Sequence, residues 1–431
     1  MRDGTPHVRW DFGGMPKFAQ SSARYAIGVS YVQRDNLICS SLVRSLGRGK
    51  QIVCDPIMGR TVQVPPEVTR LLDRSDLQDA KVSDIAFWRT ELADQCAELV
   101  KPLIASAKND FNEPLVISVT GLDSRCDDAG QTRYVSLCDA TWLAERTGIT
   151  VVDEFASGDL AHGGNGQHIT AMSDWIMYGD RSGIPGCRNR AVLRFGPVVS
   201  ASIVPSRATH ASPPELVSFD CCPGSELSGI LRERFGLGFD FETKFAVEAK
   251  SNRPLVDRWT DCLSRLASRA CSNDQFGECV TSIVTDIELY NHEHFASQAE
   301  WVMTLIEFFA RSVASSLAAH TPKSMPICEL VLTGHYHQNA LWQNRLRHYL
   351  PGINIRSGEM PESTSPTDAT AAAVMGFLRI DNALGNSSRQ TGTRKPRSLG
   401  RIAPGRPANW NSVLTEMSAA MNESMTLKSA V

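Results

Sequence analysis

No CxxC pair occurs in this chain. Its twelve cysteines are scattered, and a protein of 431 residues has no need of disulfide staples, so reduced thiols are the expectation. No apolar run approaches the roughly 18–20 residues of a membrane span. The opening MRDGTPHVRWDFGG lacks the apolar core of a secretory signal, which points to a cytoplasmic protein. Neither sign of charge dominates: the formal net charge is -3, so no global field draws the chain to nucleic acid. Zinc-protease spacing is also missing, because His292-Glu293 is followed by His294 rather than by a histidine one helical turn on. His335 and His337 alternate as strand neighbours do and lack a third metal ligand nearby in sequence, so no metal site is assigned.

What is present is length and alternation. With 42% hydrophobic and 21% charged residues the chain is globular, and 431 residues exceed one simple core. Residues 1–22 read as an irregular leader. Residues 27–43 hold two short apolar runs around a polar turn at 33–36, a hairpin of the kind that meets a nucleotide phosphate. Pro65 and Pro66 then break the chain, and Ile85, Trp88, Leu92, Cys96, Leu99, Val100 and Leu103 predict a long amphipathic helix. Leu115–Val119 reads as a buried strand, and a helix over 140–146 leads to the stretch TGITVVDEFASGDLAHGGNGQ at 147–167.

That stretch organises the rest. Ile149–Val152 is short, apolar and β-branched, as a buried strand should be. Asp153, Glu154 and Asp159 follow it, then Gly163, Gly164 and Gly166. Acids at the C-terminal end of a buried strand, followed by glycines, suit a ligand crevice in an α/β fold. The plainer alternative is a strand exit with solvated acids and a turn. Further on, a helix passes through Met172, Trp175 and Ile176, and two strands flank Gly196-Pro197. The run 216–225 is a strand ending in Asp220 and a tight turn before a helix. Residues 228–285 read as helical. An apolar helix at 301–317 feeds a strand that exits at Gly334, and helices follow at 339–349 and 368–380. Strands alternating with helices predict an α/β protein of two lobes; no internal repeat is apparent.

Several of these windows resemble the anhydro-N-acetylmuramic acid kinases. The family opening IGVMSGTSLDGVD is matched by IGVSYVQRDNLIC, and TGITVV-DFR-RD-A-GGQGAP by TGITVVDEFASGDLAHGGNGQH. FDTGPGN is matched by 219–225, CGGGxxN by 333–339, and the closing VTGA…VLGxIxPG by segments within 390–405. The resemblance, ordered along residues 25–407, implies a two-lobed sugar kinase/actin/Hsp70-like (ribonuclease H-like) α/β fold with an interlobe cleft. It places 23–152 plus about 379–407 in an N-terminal lobe, 153–378 in a C-terminal lobe, and 408–431 in an extension read as a loose amphipathic helix.

The resemblance further implies ATP and Mg²⁺ as cofactors, a 1,6-anhydro sugar from recycled cell wall as small-molecule substrate, and a possible homodimer. No nucleic-acid or membrane partner is implied. Asp220 matches the family's catalytic aspartate, the base that activates water. Asp159, Gly163, Gly164 and Gly166 would line the sugar, and Gly28, Arg34, Gly196, Gly334 and Asn339 the nucleotide. The chain also departs from the pattern. SGTS has become Tyr31-Val32-Gln33-Arg34, two glycines of GGG have become His335 and Tyr336, and the arginine of DFR is Ala156. Arg34 and Arg194 are candidates to replace lost phosphate donors, or else solvated surface residues. Two alternatives stay open: a catalytically silent relative that binds a sugar or protein, and a thiol enzyme using Cys222 at its strand–turn–helix junction.

Overall fold

The computed structural model describes residues 23–32, 36–65, 81–128, 131–182, 189–207, 216–237, 248–267, 276–293, 297–334, 336–358 and 367–429. The leader, Arg34, the loop within 183–188 and His335 lie outside them. The first half begins as an antiparallel meander of β1 (Arg24–Val32), β2 (Leu37–Leu46) and β3 (Val53–Gln63). Helix α1 (Val82–Asp110) buries Leu92, Cys96, Leu99, Val100 and Leu103, the stripe that the spacing predicts. It returns the chain to β4 (Val116–Thr120), parallel to β1 with Ala26 beside Val116. A separate hairpin, β5 (Asp123–Asp128) and β6 (Gln131–Ser136), follows. Helix α2 (Ala140–Thr147) starts at Asp139, whose carboxylate accepts from Thr141 and Trp142 amides, and stops at Gly148 with φ 70°. It delivers β7 (Thr150–Asp153), parallel to β4.

Two short helices, α3 (Phe155–Leu160) and α4 (Ala171–Tyr178), connect to the second half. There the path repeats. β8 (Asn189–Phe195), β9 (Val198–Val204) and β10 (Val217–Pro223) form another antiparallel meander. Helices α5 (Ser225–Phe235), α6 (Arg253–Ala267), α7 (Gly277–Glu293) and α8 (Gln298–His320) lead to β11 (Ile327–Gly334), parallel to β8. Helix α9 (Ala340–Tyr349) then leads to β12 (Asn354–Ser357), parallel to β11. The strand orders β3-β2-β1-β4-β7 and β10-β9-β8-β11-β12 correspond, so the duplication that the sequence does not display is one of topology. Two such sheets make the two-lobed sugar kinase/actin/Hsp70-like fold, with its interlobe cleft.

Helix α8 alone among the described helices is long and apolar enough to cross a membrane. Its Trp301, Met303, Phe308 and Phe309 instead fill the core of the second sheet, with Phe309 edge-on to Phe195 at 5.5 Å. The alanine-rich α10 (Thr367–Ile380) lies on the first sheet so closely that a Cβ on Gly28 would fall 1.7 Å from the Ala369 carbonyl oxygen. Residue 378, where the C-terminal lobe was expected to end, falls within this helix. After α11 (Ser388–Thr391), β13 (Arg401–Ala403) adds an antiparallel edge to β7. The terminal α12 (Pro407–Ser429) is anchored at its start. Asn409 Oδ1 accepts from the Thr150 amide and hydroxyl, both at 2.8 Å, and Glu416 pairs with Arg48 at 2.9 Å.

One charge sits awkwardly in this frame. Burial lowers Lys50, in the turn between β2 and β3, from the ordinary 10.5 to about 8. The folded state therefore releases this proton earlier than the unfolded chain does. The resulting cost is complete below about 8 and fades as pH rises toward 10.5. Lys50→Met is expected to raise the melting temperature at pH 7 by about 1–3 °C and to be neutral near pH 10.5, as thermal melts at both pH values would show.

Candidate active site at the glycine loop and strand β10

Strand β7 ends at Asp153, buried and gripped by Arg401 at 2.8 and 3.1 Å; burial raises its pKa although Arg401 opposes the shift. One turn of helix later comes Asp159. Asp159, expected to line the sugar, has a carboxylate that is fully buried and held within the protein. Oδ2 accepts from the Gly166 amide at 2.9 Å, and Oδ1 accepts from Asn386 Nδ2 at 2.5 Å and Thr391 Oγ1 at 2.7 Å. A buried carboxylate with three donors organises its loop instead of contacting a ligand.

The glycines follow from this arrangement. A Cβ on Gly164 would meet Asp159 Oδ2 at 2.0 Å. Gly163 and Gly166 hold φ of 80° and 71°, a region that disfavours residues with side chains. Gly166 is roofed by Tyr134 of β6, whose hydroxyl donates to its carbonyl at 3.3 Å. Gly163 is exposed at the loop tip, Gly164 half-buried behind it.

Facing the loop is β10. Its pairing with β9 sets Asp220 against Ser200 but Cys222 against Val199, so Cys221 is an extra, bulged residue. Bulges re-aim side chains next to active sites. Phe219 stacks on His320 of α8 at 4.4 Å and anchors the strand from behind. Asp220, 18% exposed, brings Oδ1 to 3.6 Å from Nε2 of His168, two residues beyond the last glycine. A rigidly held, partly exposed carboxylate can take a proton from a bound water. The alternative nucleophile fails: Cys221 and Cys222 are buried, and desolvation drives both thiols far above their ordinary value, so Cys222 stays a protonated thiol.

The expected nucleotide residues are only partly brought together. Gly334 (φ 75°) pairs with Phe195, so that a Cβ there would strike the Phe195 carbonyl oxygen at 2.7 Å, and Gly196 is the next residue along β8. Gly196 is half-buried, and a methyl group added to it would meet nothing nearer than the Val198 carbonyl oxygen at 3.6 Å. The Gly196-Pro197 turn is locked to the start of α5, where the Ser225 amide donates to the Gly196 carbonyl at 2.8 Å. Asn339 caps α9, accepting from the Trp342 amide at 3.0 Å. Tyr336, at φ 62°, lays its ring edge-on to Phe195 at 4.9 Å. Gly28 is in the other sheet, buried beneath α10.

Arg194 is neither solvated nor free for phosphate. It pairs with Asp174 at 2.9 Å and Asp368 at 3.1 Å and donates to Thr170 Oγ1 at 2.9 Å. Burial works against its charge, yet the two carboxylates hold its pKa above the usual value. Burial raises the pKa of Asp174 in spite of Arg194. Among the described residues no three His, Cys, Asp or Glu side chains converge as a metal-binding group.

The family model for anhydro-N-acetylmuramic acid kinase matches residues 53–405. The chain belongs to this family. It is similar to the anhydro-N-acetylmuramic acid kinases of a Synechococcus species (28% identity, covering 64% of this chain and 71% of the relative) and of Ralstonia nicotianae (26% identity, covering 76% and 85%). Among solved structures, a ROK family glucokinase from Streptomyces griseus in complex with glucose and AMPPNP has a TM-score of 0.36 at 12% identity, covering 81% of this chain and 98% of that one. Xylulose kinase from Rhodospirillum rubrum has a TM-score of 0.35 at 12% identity, covering 94% and 99%. These likenesses are distant and add nothing to what the duplicated sheet order and the family match carry. His168 and Gln390 escaped sequence reasoning. The available signal was a histidine at the position where the resembling GGQGAP motif ends in proline.

Proposed function

We propose that the protein is an ATP-dependent sugar kinase of peptidoglycan recycling that opens 1,6-anhydro-N-acetylmuramic acid and phosphorylates O6. The observation that carries this reading is Asp220, aimed by a bulge toward the glycine loop from a strand of the family's fold. Asp220 takes a proton from water as the water oxygen bonds to the anomeric carbon. The C1–O6 bond breaks with its electron pair on O6, which bonds to the γ-phosphorus of ATP as the bond to ADP breaks. Gly163 and Gly164 let the loop backbone approach the sugar. Gly196 and Gly334, adjacent at the ends of β8 and β11, border the nucleotide side, with Asn339 setting the start of α9. Arg34, which lies outside the described residues, is assigned to the phosphates on the resemblance alone. Mg²⁺ would arrive with the phosphates of ATP and be held mainly by phosphate oxygens and water.

Two measurements test the reading. Isothermal titration with an ATP analogue is expected to show binding that strengthens with Mg²⁺. Incubation with ATP and 1,6-anhydro-N-acetylmuramic acid is expected to yield ADP and the 6-phosphate. Nucleotide binding without turnover would replace the kinase by a silent, ligand-binding relative.

A further inference from the structure

We propose that His168 is a positioning residue for Asp220, orienting the carboxylate that activates water. The inference rests on the sugar-kinase reading and adds to it a residue that the family motif does not supply.

The backbone gives the first indication. His168 holds φ of 52°, an uncommon conformation for a residue with a side chain. It is clamped there: Gln390 Nε2, itself buried, donates to the His168 carbonyl at 2.6 Å, and the Ala171 amide donates to the same oxygen at 3.0 Å. The loop behind it is fixed through Asp159. The clamped backbone directs Nε2 to within 3.6 Å of Asp220 Oδ1, with both side chains mostly buried. At that separation a small rotation completes a hydrogen bond, and unliganded sites commonly hold such contacts long.

Several polar groups around the pair are already engaged or uncharged. Arg194, near by through Thr170, is neutralised by Asp174 and Asp368. Cys221 and Cys222, beside Asp220 on β10, remain protonated because burial raises both. Asp159 is turned inward, and Arg394 lies against Gly163 on the outer side of the loop. Across β9 the partner of Asp220 is the uncharged Ser200. With a proton on Nε2, His168 donates to Oδ1 and fixes the direction in which the carboxylate faces the glycine loop.

His168→Asn and His168→Gly suit the test, because both residues tolerate a left-handed φ. Each is expected to lower kcat by about ten- to a hundredfold at neutral pH, with KM changed less than about threefold. Free imidazole should restore part of the His168→Gly activity. A loss that falls on KM as much as on kcat, with no imidazole rescue, would overturn the proposal, since a merely structural loss would behave in that way. A readout independent of turnover is imidazole NMR. The His168 ring resonances should shift in Asp220→Asn, and unmoved resonances would also overturn the pairing. Absence of wild-type turnover would sink the sugar-kinase reading instead, with the NMR comparison still deciding whether the two residues are coupled.

Discussion

Asp220→Asn is expected to lower kcat on 1,6-anhydro-N-acetylmuramic acid by about 10²–10⁴-fold while leaving KM within about threefold. The amide fills the same volume and can still meet His168, but it cannot accept a proton from water. Asp220 is 18% exposed and Asn is nearly isosteric, so the fold should tolerate the change; a melting temperature within about 2 °C of wild type would confirm it. The split between kcat and KM is the informative part. A carboxylate used only to bind the sugar would raise KM and spare kcat. A variant with wild-type kcat would remove Asp220 from the chemistry and leave the bulge at Cys221 without a functional reason.

Much of this architecture is legible in the sequence because burial leaves a period. The stripe from Ile85 to Leu103 marks α1, and β-branched runs mark β4, β7 and β11. The parts that escape have no such period. β3 carries Pro56 and Gly59 and stands at the sheet edge, where all its residues but the buried Cys54 are half-buried or exposed. β12 spans only Asn354–Ser357 and β13 only Arg401–Ala403, too short to alternate. The duplication is invisible because only the path of the strands repeats.

The site divides in the same way. The contiguous strand, acid and turn place Asp220 at a strand end, and only the resemblance of 219–225 to FDTGPGN singles it out as a base. The inward turn of Asp159 cannot be read from sequence, because two of its three donors, Asn386 and Thr391, come from 227 and 232 residues away. Arg194 stays open between phosphate binding and solvent for a related reason: its partners lie on other elements, Asp174 on α4 and Asp368 on the remote α10.

Removing the Asp159 carboxylate is expected to do the greatest damage to the fold near the site. Asp159→Ala leaves three buried donors without an acceptor: the Gly166 amide, Asn386 Nδ2 and Thr391 Oγ1. At about 1–3 kcal/mol for each orphaned group, the loss is on the order of 3–9 kcal/mol, measurable as a fall in the urea midpoint. Sugar binding should fail with it, because the loop carrying Gly163 and Gly164 hangs on that carboxylate. Gly164→Ala probes the same contact from the other side, since its Cβ would fall 2.0 Å from Asp159 Oδ2 and force the carboxylate off its donors. Alone it is expected to cost about 2–4 kcal/mol. In the Asp159→Ala background the vacated space admits the methyl group, so the second substitution should be close to neutral there. The two effects must therefore be strongly non-additive in a double-mutant cycle. Additive losses would mean that Gly164 is required for the path of its backbone, and that Asp159 does not shape the loop through this contact.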